Sequence, residues 1–152
     1  MLTGPRGCGK TTLLLKAHDY MRRKKGEFSI YVNFKTSLKI EPLYRKNTNG
    51  SYWFNQWLLL KTYKGKFESI RDYGIKEPVE LVFCEKDIDH YISKIELGII
   101  EDINTSDDLL TISILESEIK KVLEIVNAVS CVLLFDDAAH AFSKEQQYDF
   151  FE

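Results

Sequence analysis

Gly4-Pro5-Arg6-Gly7-Cys8-Gly9-Lys10-Thr11-Thr12, near the start of the chain, combines residue types that can do chemistry at a spacing that suits it. The spacing is G-x-x-x-x-G-K-[ST], the Walker A pattern. A loop that wraps around phosphate must turn its backbone N–H groups inward, and glycines allow those turns with no Cβ in the way. Lys10 would bring a positive charge to the β/γ-phosphates, and the Thr11 hydroxyl is placed to bind Mg²⁺. Thr11-Thr12-Leu13-Leu14-Leu15-Lys16-Ala17 opens a helix, whose N-terminal dipole and free N–H groups favour an anion. The bland alternative is a Gly-rich turn ahead of an ordinary helix. Agreement at every Walker A position favours the phosphate loop.

A second stretch complements it. In Cys131-Val132-Leu133-Leu134-Phe135-Asp136-Asp137 an apolar run ends in two carboxylates. A buried central strand that delivers acids to the ligand edge of a parallel sheet reads this way. Residues 132–137 therefore match a Walker B strand. Alone that is weak, since any core strand can end in an acid; beside a Walker A it carries weight. Asp136 would hold Mg²⁺, through water, opposite Thr11. Asp137 stands where many ATPases carry the Glu that orients and deprotonates water, so Lys10 and Asp137 are the catalytic candidates. Asp is one methylene shorter than Glu and reaches less far. Cys8 sits inside the loop, beside a helix start and Lys10, a setting that favours thiolate. His140 and Ser143 follow the acids; His140 reads as a sensor of the γ-phosphate, as a relay to a partner subunit, or as a helix cap.

These residues carry a family resemblance. Leu2 through Leu14, with Leu133-Leu134-Phe135-Asp136-Asp137-Ala138-Ala139-His140-Ala141-Phe142-Ser143-Lys144-Glu145-Gln146-Gln147, resembles the bacterial AAA-type ATPases grouped with origin-recognition and initiator ATPases. The Walker A half is shared by many P-loop proteins; the Asp-Asp-Ala-Ala-His-Ala-Phe-Ser run is more specific. The resemblance implies ATP bound with Mg²⁺ in an α/β fold, a three-layer αβα sandwich with a mainly parallel sheet. It also implies DNA or a protein partner and assembly through an AAA-type interface. The family's sensor-1 strand, arginine finger and helical lid would fall after residue 152. By this reading residues 1–152 are a partial P-loop NTPase domain, incomplete at both ends. A mainly helical insertion, about 36–128, would separate the second strand from the Walker B strand. Only Met1-Leu2-Thr3 precede Gly4, where a feeding strand is expected, and 144–152 stop inside a helical pattern.

The intervening elements must bring the two ends together. A first helix is expected from 11 to about 25, with Leu13, Leu14, Ala17, Tyr20 and Met21 on its apolar face. Arg22-Arg23-Lys24-Lys25 would complement its C-terminal dipole and Gly26 would cap it. This basic cluster reads as a solvated helix end before a nucleic-acid contact. Phe28-Ser29-Ile30-Tyr31-Val32-Asn33-Phe34 alternates as a strand does. Residues 35–51 read as loop, and 52–63 as a helix with Trp53 and Trp57 on one face, packed in the core in preference to a base-stacking platform. Gly65, Gly74 and Pro78 mark 64–78 as a mixed region. Val79–Cys84 could begin a helix or be a strand. Helices follow near 86–96 and 107–129, the second capped from Ser106-Asp107-Asp108, with Ile112, Leu115, Ile119, Val122, Leu123 and Val126 on one face. Asp87, Asp89 and His90 invite a metal, but their spacing fits no metal loop and a polar face suits them better.

Composition bounds the rest. A formal charge of -2 with 29% charged residues is not that of a strongly basic nucleic-acid binder, although charge can be local. Cys8, Cys84 and Cys131 form no zinc or CxxC spacing, which suits a reducing cytoplasmic setting. Neither an apolar run long enough to cross a membrane nor a signal-peptide pattern is present. Two further readings use the same loop. One is a non-hydrolysing, nucleotide-gated switch or binding module. The other is a small-molecule kinase, disfavoured because Arg45 and Arg71 are the only arginines after the first helix.

Overall fold

The computed structural model describes residues 8–35, 40, 50–76, 82–100 and 110–137. In chain order these form α1 (Lys10–Arg23), β1 (Glu27–Asn33), α2 (Gly50–Asp72), α3 (Glu85–Leu97), α4 (Ile112–Val126) and β2 (Ser130–Asp136). The strands pair in parallel with Glu27 opposite Ser130 and Asn33 opposite Asp136. Parallel pairing requires a crossover, which α2, α3 and α4 supply. Among the described residues the fold is mixed helix and strand, of α/β type, around a two-stranded parallel sheet.

Strand alternation sorts β1 into two faces. Phe28, Ile30, Val32 and Phe34 are all buried on one face, where α2 packs. Ser29 and Tyr31 point the other way, toward His18 of α1. Each large apolar side chain taken fully out of water stabilises the fold by about 1.5–3 kcal/mol. Phe34 joins the layers, its ring 5.4 Å from Trp57 of α2 and 5.3 Å from Phe135 of β2.

α2 is longer than local patterning suggests. A helix ending near residue 63 and a mixed region beyond it were expected; one helix runs from Gly50 to Asp72. Gly65 lies inside it because the backbone of β1 approaches so closely. A Cβ there would meet the Tyr31 carbonyl oxygen at 2.8 Å. Buried residues lie on nearly all its sides: Trp53, Trp57, Leu60, Tyr63 and Phe67 form one stripe, and Phe54, Thr62, Gly65, Lys66 and Ser69 are buried on the others. Burial on nearly all sides weakens the 3.6-residue signal that would mark the helix in sequence. It also rules out Trp53 and Trp57 as an exposed stacking platform.

Two polar clusters are buried with it. Lys66 and Glu118, both almost inaccessible, meet at 3.3 Å, and the Tyr63 hydroxyl donates to the same Glu118 oxygen. Gln56 donates to the Leu110 carbonyl and accepts from the Leu110 N–H, both at 3.1 Å, as a neighbouring strand would. That clasp holds the chain as it enters α4.

Two local expectations are corrected. α4 starts at Ile112, capped by Thr111 Oγ1, which accepts from the Ile114 N–H; the expected cap residues 106–108 lie outside the described residues. Ile112 is 64% exposed, and the packed apolar side chains of α4 start at Ile114 and Leu115. On α1, Leu13 and Tyr20 are exposed and the buried residue is His18, because the sheet face opposite is the polar one of Ser29 and Tyr31. Among the described residues no helix is long and apolar enough to cross a membrane.

Candidate functional site

Of the Walker A residues, Cys8, Gly9, Lys10, Thr11 and Thr12 are described; Gly4, Pro5, Arg6 and Gly7 lie outside the described residues, as do His140 and Ser143. Gly9 is the N-cap of α1, with φ 84° and ψ 17°. A side chain in that left-handed conformation costs roughly 1–2 kcal/mol, which explains glycine there. The Gly9 carbonyl accepts from the Leu13 N–H at 2.9 Å and starts the helical ladder. Lys10 and Thr11 fall on the first turn, as the motif requires, with Thr11 and Thr12 exposed and Lys10 half-buried. Lys10 Nζ lies 3.6 Å from the exposed thiol of Cys8.

α1 runs back along β1. Its last turn joins the start of β1 through Lys24–Gly26, and its His18 lies against Ser29. From His18 back to Lys10 the helix advances about 12 Å. From Ser29 forward to Asn33 the strand advances about 13 Å. The start of α1 and the ends of β1 and β2 thus face the same edge of the sheet, and α1 packs against both strands.

A polar chain fastens that arrangement. His18 Nδ1 lies 2.8 Å from Ser29 Oγ, and Nε2 lies 3.4 Å from Asp72 Oδ2 at the end of α2. The Tyr73 hydroxyl accepts from the Ser29 N–H at 3.1 Å. Ser29 is fully buried, so the group joins α1, β1 and α2 and exposes no nucleophile. Arg22 and Arg23 pair with Asp19, and Lys24 with Glu27, which matches the solvated-end reading of the basic cluster.

At the other end of the site Asp136 closes β2, 2% exposed. The Tyr31 hydroxyl donates to its Oδ2 at 2.8 Å. Burial, and then the neighbouring Asp136 carboxylate, hold the Tyr31 phenol far above its ordinary value, so it remains a donor. Tyr31 is the residue that sequence reading missed. The hydrogen bond joins positions far apart in the chain, and the only local sign was an aromatic on the polar face of β1. Asp137 follows with φ 57°, a left-handed conformation that Asp tolerates better than most residues. Strained backbone of this kind is found often beside functional groups.

Among the described residues no three His, Cys, Asp or Glu side chains converge as a self-contained metal centre would require. Asp87 accepts from the Cys84 thiol, Asp89 pairs with Lys64, and His90 stacks near Tyr91, so the acidic trio is divided among separate partners. A cation carried in with phosphate needs fewer protein ligands. For that Asp136 is suited. Among the described residues Tyr31 engages Oδ2 alone, which leaves Oδ1 as a buried acceptor without a donor. Such an atom is costly unless something positive meets it.

β2 is less enclosed than a central strand would be: Leu133 is 43% exposed and Ser130 is exposed. No family model matches the chain, and neither a curated protein nor a solved structure matches it.

Proposed function

We propose that this chain is an ATP-binding, ATP-hydrolysing AAA-type P-loop module of the three-layer αβα kind, which couples nucleotide state to a protein partner or DNA. One observation carries the reading. Gly9-Lys10-Thr11 opens α1 toward the sheet edge where β2 ends in a buried Asp136, one of whose oxygens has no donor among the described residues. Gly4–Thr12 would wrap the phosphates, Lys10 would neutralise charge on the β/γ-phosphates, and Thr11 and Asp136 would hold Mg²⁺. When bound, Mg²⁺ would supply charge neutralisation for the leaving phosphate. Asp137 would orient the attacking water and accept its proton.

A second reading, a nucleotide-gated switch with little turnover, is favoured by Asp137 itself. Its carboxylate is one methylene short of the Glu usual there, on a backbone held at φ 57°. Calorimetric titration with ATP and Mg²⁺ tests the nucleotide site: the parent should bind and Lys10→Ala should lose binding. Phosphate release separates the two readings. Turnover that falls at least about a hundredfold in Asp137→Asn supports the ATPase; tight binding without turnover in the parent supports the switch.

A further inference from the structure

The Asp136 carboxylate, at the end of β2, is oriented by a hydrogen bond from the Tyr31 hydroxyl. Both lie on the α1 face of the sheet. Asn33 is the register partner of Asp136, and Tyr31 is two residues before Asn33 on the same face. The phenol therefore reaches diagonally along the sheet toward the edge, where a shorter side chain would stop. Its ring is held on the way, with the His18 ring centroid 6.4 Å off. His18 in turn is tied to Ser29 and Asp72. The hydroxyl is thus placed by three elements before any ligand arrives.

A carboxylate with two free oxygens rotates, and a cation then has to be bought with that lost freedom. When a neighbour takes one oxygen, the other is presented in a single orientation. Groups that orient metal ligands in this way typically change metal affinity by about 10–100-fold when removed.

We propose that Tyr31 is the positioning residue for Asp136: by donating to Oδ2 it presents Oδ1 to the Mg²⁺ that accompanies bound nucleotide. This rests on the ATP-binding reading above and adds a residue that the motif does not contain. Tyr31→Phe removes the hydroxyl and leaves the ring packed against His18.

The test is titration of the full chain with ATP, first in EDTA and then at increasing Mg²⁺. For Tyr31→Phe the affinity for ATP in EDTA should stay within about twofold of the parent, while the Mg²⁺ concentration at half-maximal gain should rise about tenfold. A merely structural tyrosine would move both affinities together or neither. In the Asp136→Asn background, adding Tyr31→Phe should shift the Mg²⁺ midpoint no further. As a check that needs no substitution, the parent labelled with 3-fluorotyrosine should show one resonance that moves when Mg²⁺ joins ATP and not with ATP in EDTA. An unmoved Mg²⁺ midpoint in Tyr31→Phe, or no Mg²⁺-dependent tyrosine resonance, overturns the role while the nucleotide site stands. A parent that binds no ATP in either condition overturns the nucleotide reading and this role with it.

Discussion

The carbonyl oxygen of Tyr31 stands 2.8 Å from the point where a Cβ on Gly65 would lie, with Ile30 Cγ2 and Val32 Cγ2 at 3.0 and 3.1 Å. A helix and a strand touch there backbone to backbone. Tyr31 thereby faces α2 with its carbonyl and Asp136 with its hydroxyl, so the core and the candidate site share one residue.

Gly65→Ala tests that contact. In an open helix the change would stabilise by about 1 kcal/mol through helix propensity. Here the methyl group meets backbone, which cannot swing aside, and overpacking costs typically 1–3 kcal/mol. Setting a cost of about 2 kcal/mol against that gain of about 1, we expect a net loss of about 1 kcal/mol by denaturant unfolding. A variant as stable as the parent would show that α2 and β1 separate easily.

Glu118 sets an acid limit on stability. Burial would raise its pKa, but hydrogen bonds from Lys121, Lys66 and Tyr63, with the charge of Lys66, outweigh burial and hold it below the ordinary 4.5. A carboxyl more acidic in the fold than in the unfolded chain stabilises above its unfolded value, and that contribution is lost as pH falls through the folded value. The parent should therefore lose stability as pH drops below about 4.5, and Glu118→Gln should lose less over the same range. Parallel pH profiles of unfolding for the two proteins would refute the assignment.

Gln56→Leu removes a clasp and keeps the volume. Both backbone groups of Leu110, buried, would lose their partner. An unsatisfied buried polar group costs about 1–3 kcal/mol. Hydrogen exchange at the Leu110 amide should quicken more than at Ile30 in β1. Equal acceleration at both sites would mean global loosening in place of local release.

Cys8 offers a chemical handle on the loop. It is exposed, and Lys10 Nζ lies 3.6 Å from its sulfur. Alkylation with N-ethylmaleimide should abolish ATP binding by the parent, while Cys8→Ser, treated alike, should still bind. Loss of binding in both would point to Cys84 or Cys131 instead. Cys131 is the less reactive of these, since burial pushes its thiol up to about 11.

Much of the fold was legible locally. α1, α3 and β1 lie within a residue or two of the expected bounds, although α1 buries a different face and is capped at Lys24, not at Gly26. The run 131–137 read as a strand and is one, shifted by a residue. The features that eluded sequence reading involve residues distant in the chain. α2 continues through Gly65 because β1 lies against it; α1 buries His18 because the opposite strand face is polar; Ile112 is exposed because α4 packs from Ile114 onward.

The same division holds at the site. Gly9, Lys10 and Thr11 at a helix start, and a strand ending in Asp136, follow from residue types and short spacings, since glycine conformations, helix ends and strand alternation are local physics. That the start of α1 and the end of β2 face one sheet edge follows from α1 packing back along the sheet, and that the Tyr31 hydroxyl engages Asp136 follows from parallel pairing of strands a hundred residues apart. Register and contact distance arise only when the chain packs, and no short window of sequence contains them.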